Sequence, residues 1–238
     1  MLVTPELLSA FPSLKPLPAQ TLSQLAQQAA VKRFARRGVV LSAGEQEDAI
    51  CFLFEGRLQG VDFTIDGREV GLYFVEPGDF CGELGMFDDG PQPEHDIALT
   101  AAMVVFIPLS VLREVTLEHP VLLQALGKRL ASRVRQMTRQ RSLLGLPNIS
   151  QRVCCQLWFL LAGDTDSGPK EPNSGEVAIV NPPTHMEIAI MLSLSRESVS
   201  RVFQVLQTRQ IVKRDGPGKL IILDATCLQR LAEGKEEL

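Results

Sequence analysis

Arg196, Glu197, Ser200 and Arg201 are the residues of this chain whose types and spacing most directly suggest chemistry. An arginine can grip guanine O6 and N7 with two hydrogen bonds, and a glutamate can accept from cytosine N4. Positions three and four apart share one helical face. Such a face is what a helix lying in the major groove of DNA offers to base edges. An ordinary exposed helix with a salt-bridging Arg-Glu pattern would read the same over so short a stretch. The flanking elements must decide.

Thr184 to Arg201, THMEIAIMLSLSRESVSR, reads as two short helices joined by a tight turn at Ser193. Thr184 with Glu187 three residues on forms a capping box for the first helix. Ser195 can cap the second by itself. Ile188 and Leu192, and then Val199 and Val202, place apolar side chains on one face of each helix. Ala189 is small where two crossing helices approach. Beyond Gln207, two strand-like runs, Ile211–Arg214 and Leu220–Leu223, flank the turn Asp215-Gly216-Pro217-Gly218. The pattern is a winged helix-turn-helix. Between Thr184 and Leu220 six basic residues (Arg196, Arg201, Arg209, Lys213, Arg214, Lys219) face three acidic ones (Glu187, Glu197, Asp215). That local excess suits phosphate contact. Thr184, His185, Lys213, Arg214 and Lys219 are candidate contacts beside the helix that carries Ser195 to Arg201.

The chain has 238 residues, 45% of them hydrophobic, and a net charge of -4, so it is no general polyanion binder. Its charge is uneven. Residues 1–120 hold eight Lys/Arg and seventeen Asp/Glu, and residues 121–238 hold sixteen and eleven. An acidic front half and a more basic back half fit a sensor joined to a DNA reader. MLVTPELLSAF lacks the features of a signal peptide, and no apolar run is long enough to span a membrane. Five scattered cysteines without a C-x-x-C suggest a reduced, cytoplasmic protein.

Residues 1–30 read as two helical pieces separated by Pro12, Pro16 and Pro18. From Val31 to about Pro108 the texture is short strands and glycine turns, with candidates at Phe34–Leu41, Ile50–Phe54, Arg57–Ile65, Glu69–Val75 and Ile97–Ile107. Regular spacing of this kind indicates a sandwich or barrel, and Asp66-Gly67 marks a tight hairpin. Leu109–Glu118 and then Pro120 to about Leu144 return to helix. In the long helix Leu123, Leu130, Met137 and Leu144 repeat every seven residues, which suggests pairing with a second helix. Its basic residues, Lys128, Arg129, Arg133, Arg135, Arg139 and Arg141, read as a solvated face. Gly145-Leu146-Pro147 reads as a hinge. Ser150–Ala162 is a further helix, and 163–176 a polar loop.

The run Pro77-Gly78-Asp79-Phe80-Cys81-Gly82-Glu83-Leu84-Gly85 resembles the phosphate-cassette region of cyclic-nucleotide-binding β-rolls. Ser195-Arg196-Glu197-Ser198-Val199-Ser200-Arg201 is similar to the recognition helix of the CRP/FNR family of bacterial transcription regulators. The order of roll, long helix, hinge and winged helix looks like that family over roughly residues 20 to 224. The resemblance implies an α+β fold with an N-terminal β-roll or jelly-roll sensor at 1–119. A dimerisation helix and hinge follow at 120–146, then a winged helix-turn-helix at 147–238. It implies a homodimer on an inverted-repeat operator in double-stranded DNA, with RNA polymerase as partner and no enzymatic activity. It puts base reading at Arg196, Glu197 and Arg201. Glu197, Ser200 and Arg201 also match the E-x-x-S-R pattern of the FNR branch. Ser193 stands where many members have glycine.

By the same resemblance Gly82, Glu83, Leu84, Met137 and Thr138 would form the effector pocket. Cyclic-AMP binders carry an Arg-Ser pair after this segment to hold the cyclic phosphate. Here Gly90-Pro91-Gln92-Pro93-Glu94-His95-Asp96 has no cation, two prolines without N–H groups and two carboxylates. An effector other than cyclic AMP, or none, is therefore expected. The alternatives are a cyclic nucleotide, cyclic di-GMP included, or haem held by His95, His119, Cys51 or Cys81. The cofactor stays open. An enzyme on the same roll, of the cupin type, would need clustered His and carboxylate ligands. The three histidines are not spaced as a pair.

Overall fold

The computed structural model describes residues 2–88, 90–162 and 177–238, so the polar loop expected at 163–176 lies outside the described residues. The chain divides into two units, Met1–Arg68 with Leu72–Val134 and Glu69–Gly71 with Arg135–Leu238. The helix Pro120–Leu144 contributes residues to both.

The first unit opens with two helices, α1 (Pro5–Ser9) and α2 (Ala19–Gln28), set apart by the proline-rich stretch. Eight strands follow: β1 (Ala30–Phe34), β2 (Val39–Leu41), β3 (Ala49–Glu55), β4 (Leu58–Phe63), β5 (Glu69–Val75), β6 (Phe80–Cys81), β7 (His95–Ala98) and β8 (Ala102–Pro108). They form two four-stranded antiparallel sheets, ordered β1-β8-β3-β6 and β2-β7-β4-β5. This is the β-roll that the resemblance implies; the strand texture by itself indicates a sandwich or barrel. Two strand expectations are corrected. Phe34–Leu41 is broken by a turn through Arg37, at φ +71°, and Gly38. Ile97–Ile107 is broken at Leu99–Ala101, so it forms two strands in different sheets. Leu99-Thr100-Ala101 keeps a largely apolar texture that hides the second turn, whereas Arg36-Arg37-Gly38 carries the turn residues of the first.

Between the sheets lies a core of Leu41, Leu53, Leu58, Tyr73, Val75, Ala98 and Val104. A second core joins Leu8, Phe11, Leu25, Ile50, Phe52 and Phe80 to Leu112 of α3 (Leu109–Glu118) and to Leu122 and Leu126 of α4 (Pro120–Leu144). Burial of each such side chain contributes about 1.5–3 kcal/mol.

The second unit is built on α5 (Ile149–Ala162), α6 (His185–Leu192) and α7 (Arg196–Thr208). Its sheet is ordered β10-β11-β9, from β9 (Ala178–Val180), β10 (Val212–Asp215) and β11 (Lys219–Ile222). A last helix, α8 (Ala225–Ala232), is capped by Asp224, whose Oδ1 accepts from the Cys227 N–H at 2.8 Å. Helix α4 ends where Gly145 follows Leu144, as the sequence suggests. Its last turns belong to this unit. Leu143 enters the core with Val153, Leu157, Ile188, Val199 and Phe203, and the Gln140 side chain donates to the Met191 carbonyl.

Candidate functional site

The helix-turn-helix is positioned by local chemistry. Thr184 Oγ1 accepts from the Glu187 N–H at 3.3 Å, and Glu187 Oε2 accepts from the Thr184 N–H at 2.9 Å, closing the capping box. Ser195 Oγ accepts from the Ser198 N–H at 3.1 Å and starts α7. Between the helices Ser193 sits in the left-handed region, φ +51° and ψ +46°, where a β-carbon is unfavourable. Its N–H and that of Leu194 still reach carbonyls of α6. Val199, Val202, Phe203 and Leu206 turn inward. That leaves Arg196, Glu197, Arg201, Gln204 and Gln207 exposed on the other face.

His185, Arg196, Glu197, Ser200, Arg201, Gln204 and Gln207 line one shallow surface. Gln204 and Gln207 were missed by the sequence reading, although they continue the three- and four-residue spacing from Glu197. Arg201 Nη2 donates to Ser198 Oγ at 3.3 Å, which holds the guanidinium beside the helix N-terminus. His185 Nδ1 is 2.9 Å from Ser200 Oγ, and its ring lies 4.4 Å from that of Phe203. Burial, then the nearby Arg214 and Arg196, lower its pKa, so this ring favours its neutral form. In the wing, Arg214 donates from Nε to the Gly216 carbonyl at 3.4 Å and from Nη2 to that of Pro217 at 3.3 Å. Lys213 is exposed beside it and Lys219 half-buried.

The expected effector residues have a different setting. Gly82, at φ +81°, makes a bend that a side chain would crowd, since a Cβ would lie 3.1 Å from Leu41 Cδ1 and 3.2 Å from the Ala49 carbonyl. That bend turns Glu83 inward, where it is fully buried. Leu84 is half-buried next to it. Met137 and Thr138 are exposed on α4 in the second unit. Glu83 Oε1 is paired with Arg133 Nη1 at 2.9 Å. Arg133, read from sequence as part of a solvated face, is 5% exposed. Arg129 is likewise turned inward, onto Asp79. Arg133 Nη2 donates to the Phe80 carbonyl at 3.1 Å, and its guanidinium carbon lies 3.9 Å from the centre of the Tyr73 ring. The Tyr73 hydroxyl donates to Glu94 Oε1 and lies 3.5 Å from Asp96 Oδ2. Gly60 makes room for this, because any Cβ there would meet the Tyr73 ring at 2.5 Å.

The interior of the roll thus holds three buried carboxylates, Glu83, Glu94 and Asp96, around the Arg133 guanidinium and the Tyr73 phenol, with the Arg129–Asp79 pair beside Glu83. Burial raises the pKa of Glu83, and Arg133 pulls it back. Burial also pushes Asp96 up to about 7, against Arg133 and with help from Glu94. Burial opposes the charge on Arg133, but Tyr73, Glu83 and Asp96 outweigh it and hold the guanidinium protonated. The candidate haem ligands are engaged elsewhere. His95 Nδ1 accepts from the Ala43 N–H at 3.2 Å, His119 Nε2 is 3.0 Å from Thr21 Oγ1, and Cys51 and Cys81 are fully buried. Among the described residues no three His, Cys, Asp or Glu side chains are grouped to hold a metal ion, and no helix is long and apolar enough to cross a membrane.

Comparison with known proteins gives two family matches: a cyclic nucleotide-binding domain over residues 31–119 and a Crp-like helix-turn-helix domain over residues 151–231. The cAMP-activated global transcriptional regulator CRP of Pasteurella multocida is 26% identical over 90% of this chain and 98% of its own length. Vfr of Pseudomonas aeruginosa, also described as a cAMP-activated global transcriptional regulator, is 27% identical over 78% of this chain and 86% of its own. Among solved structures, FixK2 of Bradyrhizobium japonicum matches with a TM-score of 0.69 at 19% identity, covering 85% of this chain and 96% of its own. The c-di-GMP responsive regulator CLP of Xanthomonas campestris matches at 0.64 and 21%, covering 88% and 100%.

Proposed function

The chain belongs to the CRP/FNR family of bacterial transcription regulators, and on that premise we propose that it is a dimeric, sequence-specific DNA-binding protein whose effector is not cyclic AMP. Residues 1–119 serve as sensor, 120–146 as dimer helix and hinge, and 147–238 as DNA reader. The observation that carries the first half is the exposed face of α7, where Arg196, Glu197, Ser200 and Arg201 share one surface. Arg196, Glu197 and Arg201 read base edges. Ser195 and Thr184 keep their capping roles beside them, and Lys213, Arg214 and Lys219 of the wing stand nearer phosphates. His185 lies at the same surface as a neutral hydrogen-bonding group. Dimerisation is supported by Leu123, Val134 and Met137, which α4 leaves exposed, and by Leu130, half-buried in the same seven-residue series. RNA polymerase follows as a partner from the family alone.

The effector reading rests on charge. A cyclic phosphate needs a guanidinium and N–H donors. Gln92 to Asp96 supplies no guanidinium, and the two arginines turned into the site, Arg133 and Arg129, are already paired with Glu83 and Asp79. Micromolar cyclic AMP should therefore neither raise the melting temperature nor tighten DNA binding. A ligand at 100 times its Kd would add about 2.7 kcal/mol, which a melting curve would show.

The DNA reading is tested by two substitutions on a duplex selected by the protein and on a scrambled one. The operator should be an inverted repeat with half-sites roughly 34–36 Å apart. Arg201→Ala should cost about 1–3 kcal/mol per half-site on the selected duplex and far less on the scrambled one. Lys213→Ala should weaken both alike and flatten the salt dependence. Equal losses on both duplexes for Arg201→Ala would mean that α7 does not read sequence through this residue.

A further inference from the structure

The roll interior carries more acid than base. Glu83, Glu94 and Asp96 face the guanidinium of Arg133, Arg129 also acts on Glu83 while paired with Asp79, and none of the three carboxylates reaches solvent appreciably. Asp96 is wholly buried, and its Oδ1 has no hydrogen-bond partner. An unpaired buried carboxylate oxygen in a charged cluster marks a place where a proton can be taken up or released.

The groups around Asp96 come from every neighbouring element. Tyr73 of β5 presents its hydroxyl at 3.5 Å. Cys81 of β6 lies close to its carboxylate, and the Cys81 thiol donates to the Cys51 carbonyl of β3 at 3.8 Å. Glu83 follows β6, Glu94 precedes β7, and Arg133 enters from α4. Strands β2 and β4 contribute the uncharged Leu41 and Gly60 opposite it. With Asp96 neutral, Arg133 has Glu83 as its one close ion-pair partner and the Tyr73 hydroxyl donates its hydrogen bond to Glu94. With Asp96 ionised, two further negative charges, Glu94 and Asp96, compete for the phenol hydrogen and for the same guanidinium.

We propose that the effector read by this roll is the hydrogen ion: loss or gain of one proton at Asp96 changes the hold of the roll on Arg133, and through α4 sets the affinity for DNA. The inference rests on the DNA-binding reading for its output but not for its sensor. The titration that burial produces at Asp96, to about 7, places the switch near neutrality. Arg133 sits one residue before the point at which α4 passes into the second unit, so its restraint acts on the helix that continues to Leu144.

Tyr73 is the only tyrosine of the chain, so tyrosine labelled at its Cζ carbon gives one NMR signal from the cluster in the full-length protein. That signal should titrate with a midpoint near neutrality. Asp96→Asn should abolish the titration. Glu94→Gln, which removes a like charge, should move the midpoint down, and it serves as the second variant should Asp96→Asn fold poorly. Affinity for a duplex selected from a random pool should differ about fivefold or more between about pH 6 and about pH 8 at constant salt. Asp96→Asn should bind at both pH values as the wild type binds at the lower one. A flat Tyr73 signal, or one that still titrates in Asp96→Asn, would overturn the proton site. A titrating signal with unchanged affinity would overturn its role as effector. Failure to select any duplex would instead overturn the DNA-binding reading, and the coupling with it, while the Tyr73 titration would still stand.

Discussion

Arg133→Met keeps the aliphatic stem of the side chain and removes its guanidinium. Three contacts go together: the 2.9 Å ion pair with Glu83, the 3.1 Å donation to the Phe80 carbonyl and the contact with the Tyr73 ring at 3.9 Å. Glu83 has no exposed surface, so its charge would be stranded in the interior. Breaking a buried pair from one side costs about 3–5 kcal/mol. The lost hydrogen bond and ring contact share the same group, so they are contained in that figure rather than added to it. Protonation of Glu83 limits the loss. Burial already raises its pKa, and without Arg133 it rises further, so the variant should suffer less at about pH 5 than at about pH 8.

The partner variant settles the cause. Arg133→Met with Glu83→Gln removes the stranded charge and should regain about 2 kcal/mol of what the single substitution loses. Urea unfolding followed at two probes gives the numbers. Tyr73 reports the roll, and Trp158, the only tryptophan, lies on α5 in the second unit. The Tyr73 transition should move and the Trp158 transition should stay. A loss under about 1 kcal/mol, or a double variant as unstable as the sum of the singles, would refute a buried, coupled pair.

Other expectations follow from the same geometry. Asp96 titrates at about 7 in the fold and near about 4 when unfolded, so the folded chain holds the extra proton between those values. Through Asp96 the stability of the roll should therefore fall as pH rises from about 4 to about 7, by at most about 4 kcal/mol, and level off above; in Asp96→Asn the slope should shrink to what the other buried carboxylates, Glu83 among them, contribute. Ser193→Gly should stabilise the second unit by about 0.5–1 kcal/mol, read from Trp158, because glycine takes the left-handed backbone without strain. Replacing Leu130 and Met137 together by Glu should give monomers in light scattering; dimers that persist would remove the α4 seam.

The helix-turn-helix was legible because its signals are local. Thr184, Glu187 and Ser195 hydrogen-bond to backbone three residues away, and Asp215-Gly216-Pro217-Gly218 makes its turn from its own backbone preferences. Strands β6 and β9 and helix α8 were not found. The strands have two and three residues, too few to show a period, and α8 follows β11 with only Leu223 and Asp224 between. The burial of Arg133 was hidden for a different reason. On α4 it stands among six basic residues and no acid, and the carboxylate that pairs with it lies 50 positions back at Glu83. Nothing in a helical charge run distinguishes Arg129 and Arg133, which turn inward, from the four other basic residues.

The sequence of the roll makes sense once its charges are taken together. A phosphate-holding cation after Gly82-Glu83 would have left room for an anionic ligand to complete the interior. In its place stand Glu94 and Asp96, and two anions there require internal partners. Tyr73 supplies one, as the donor to Glu94, and Gly60 is the residue that lets its ring in. Arg133 enters from α4, but its guanidinium is held by Glu83 and the Phe80 carbonyl. These features depend on each other. A side chain at position 60 would displace Tyr73, loss of Tyr73 would leave Glu94 without its donor, and loss of Arg133 would leave Glu83 unpaired. The charge that remains unbalanced is that of Asp96, and water cannot reach it. The proton is the one cation small enough to reach that carboxylate without a cavity, which is why a roll filled by its own side chains can still respond to its surroundings.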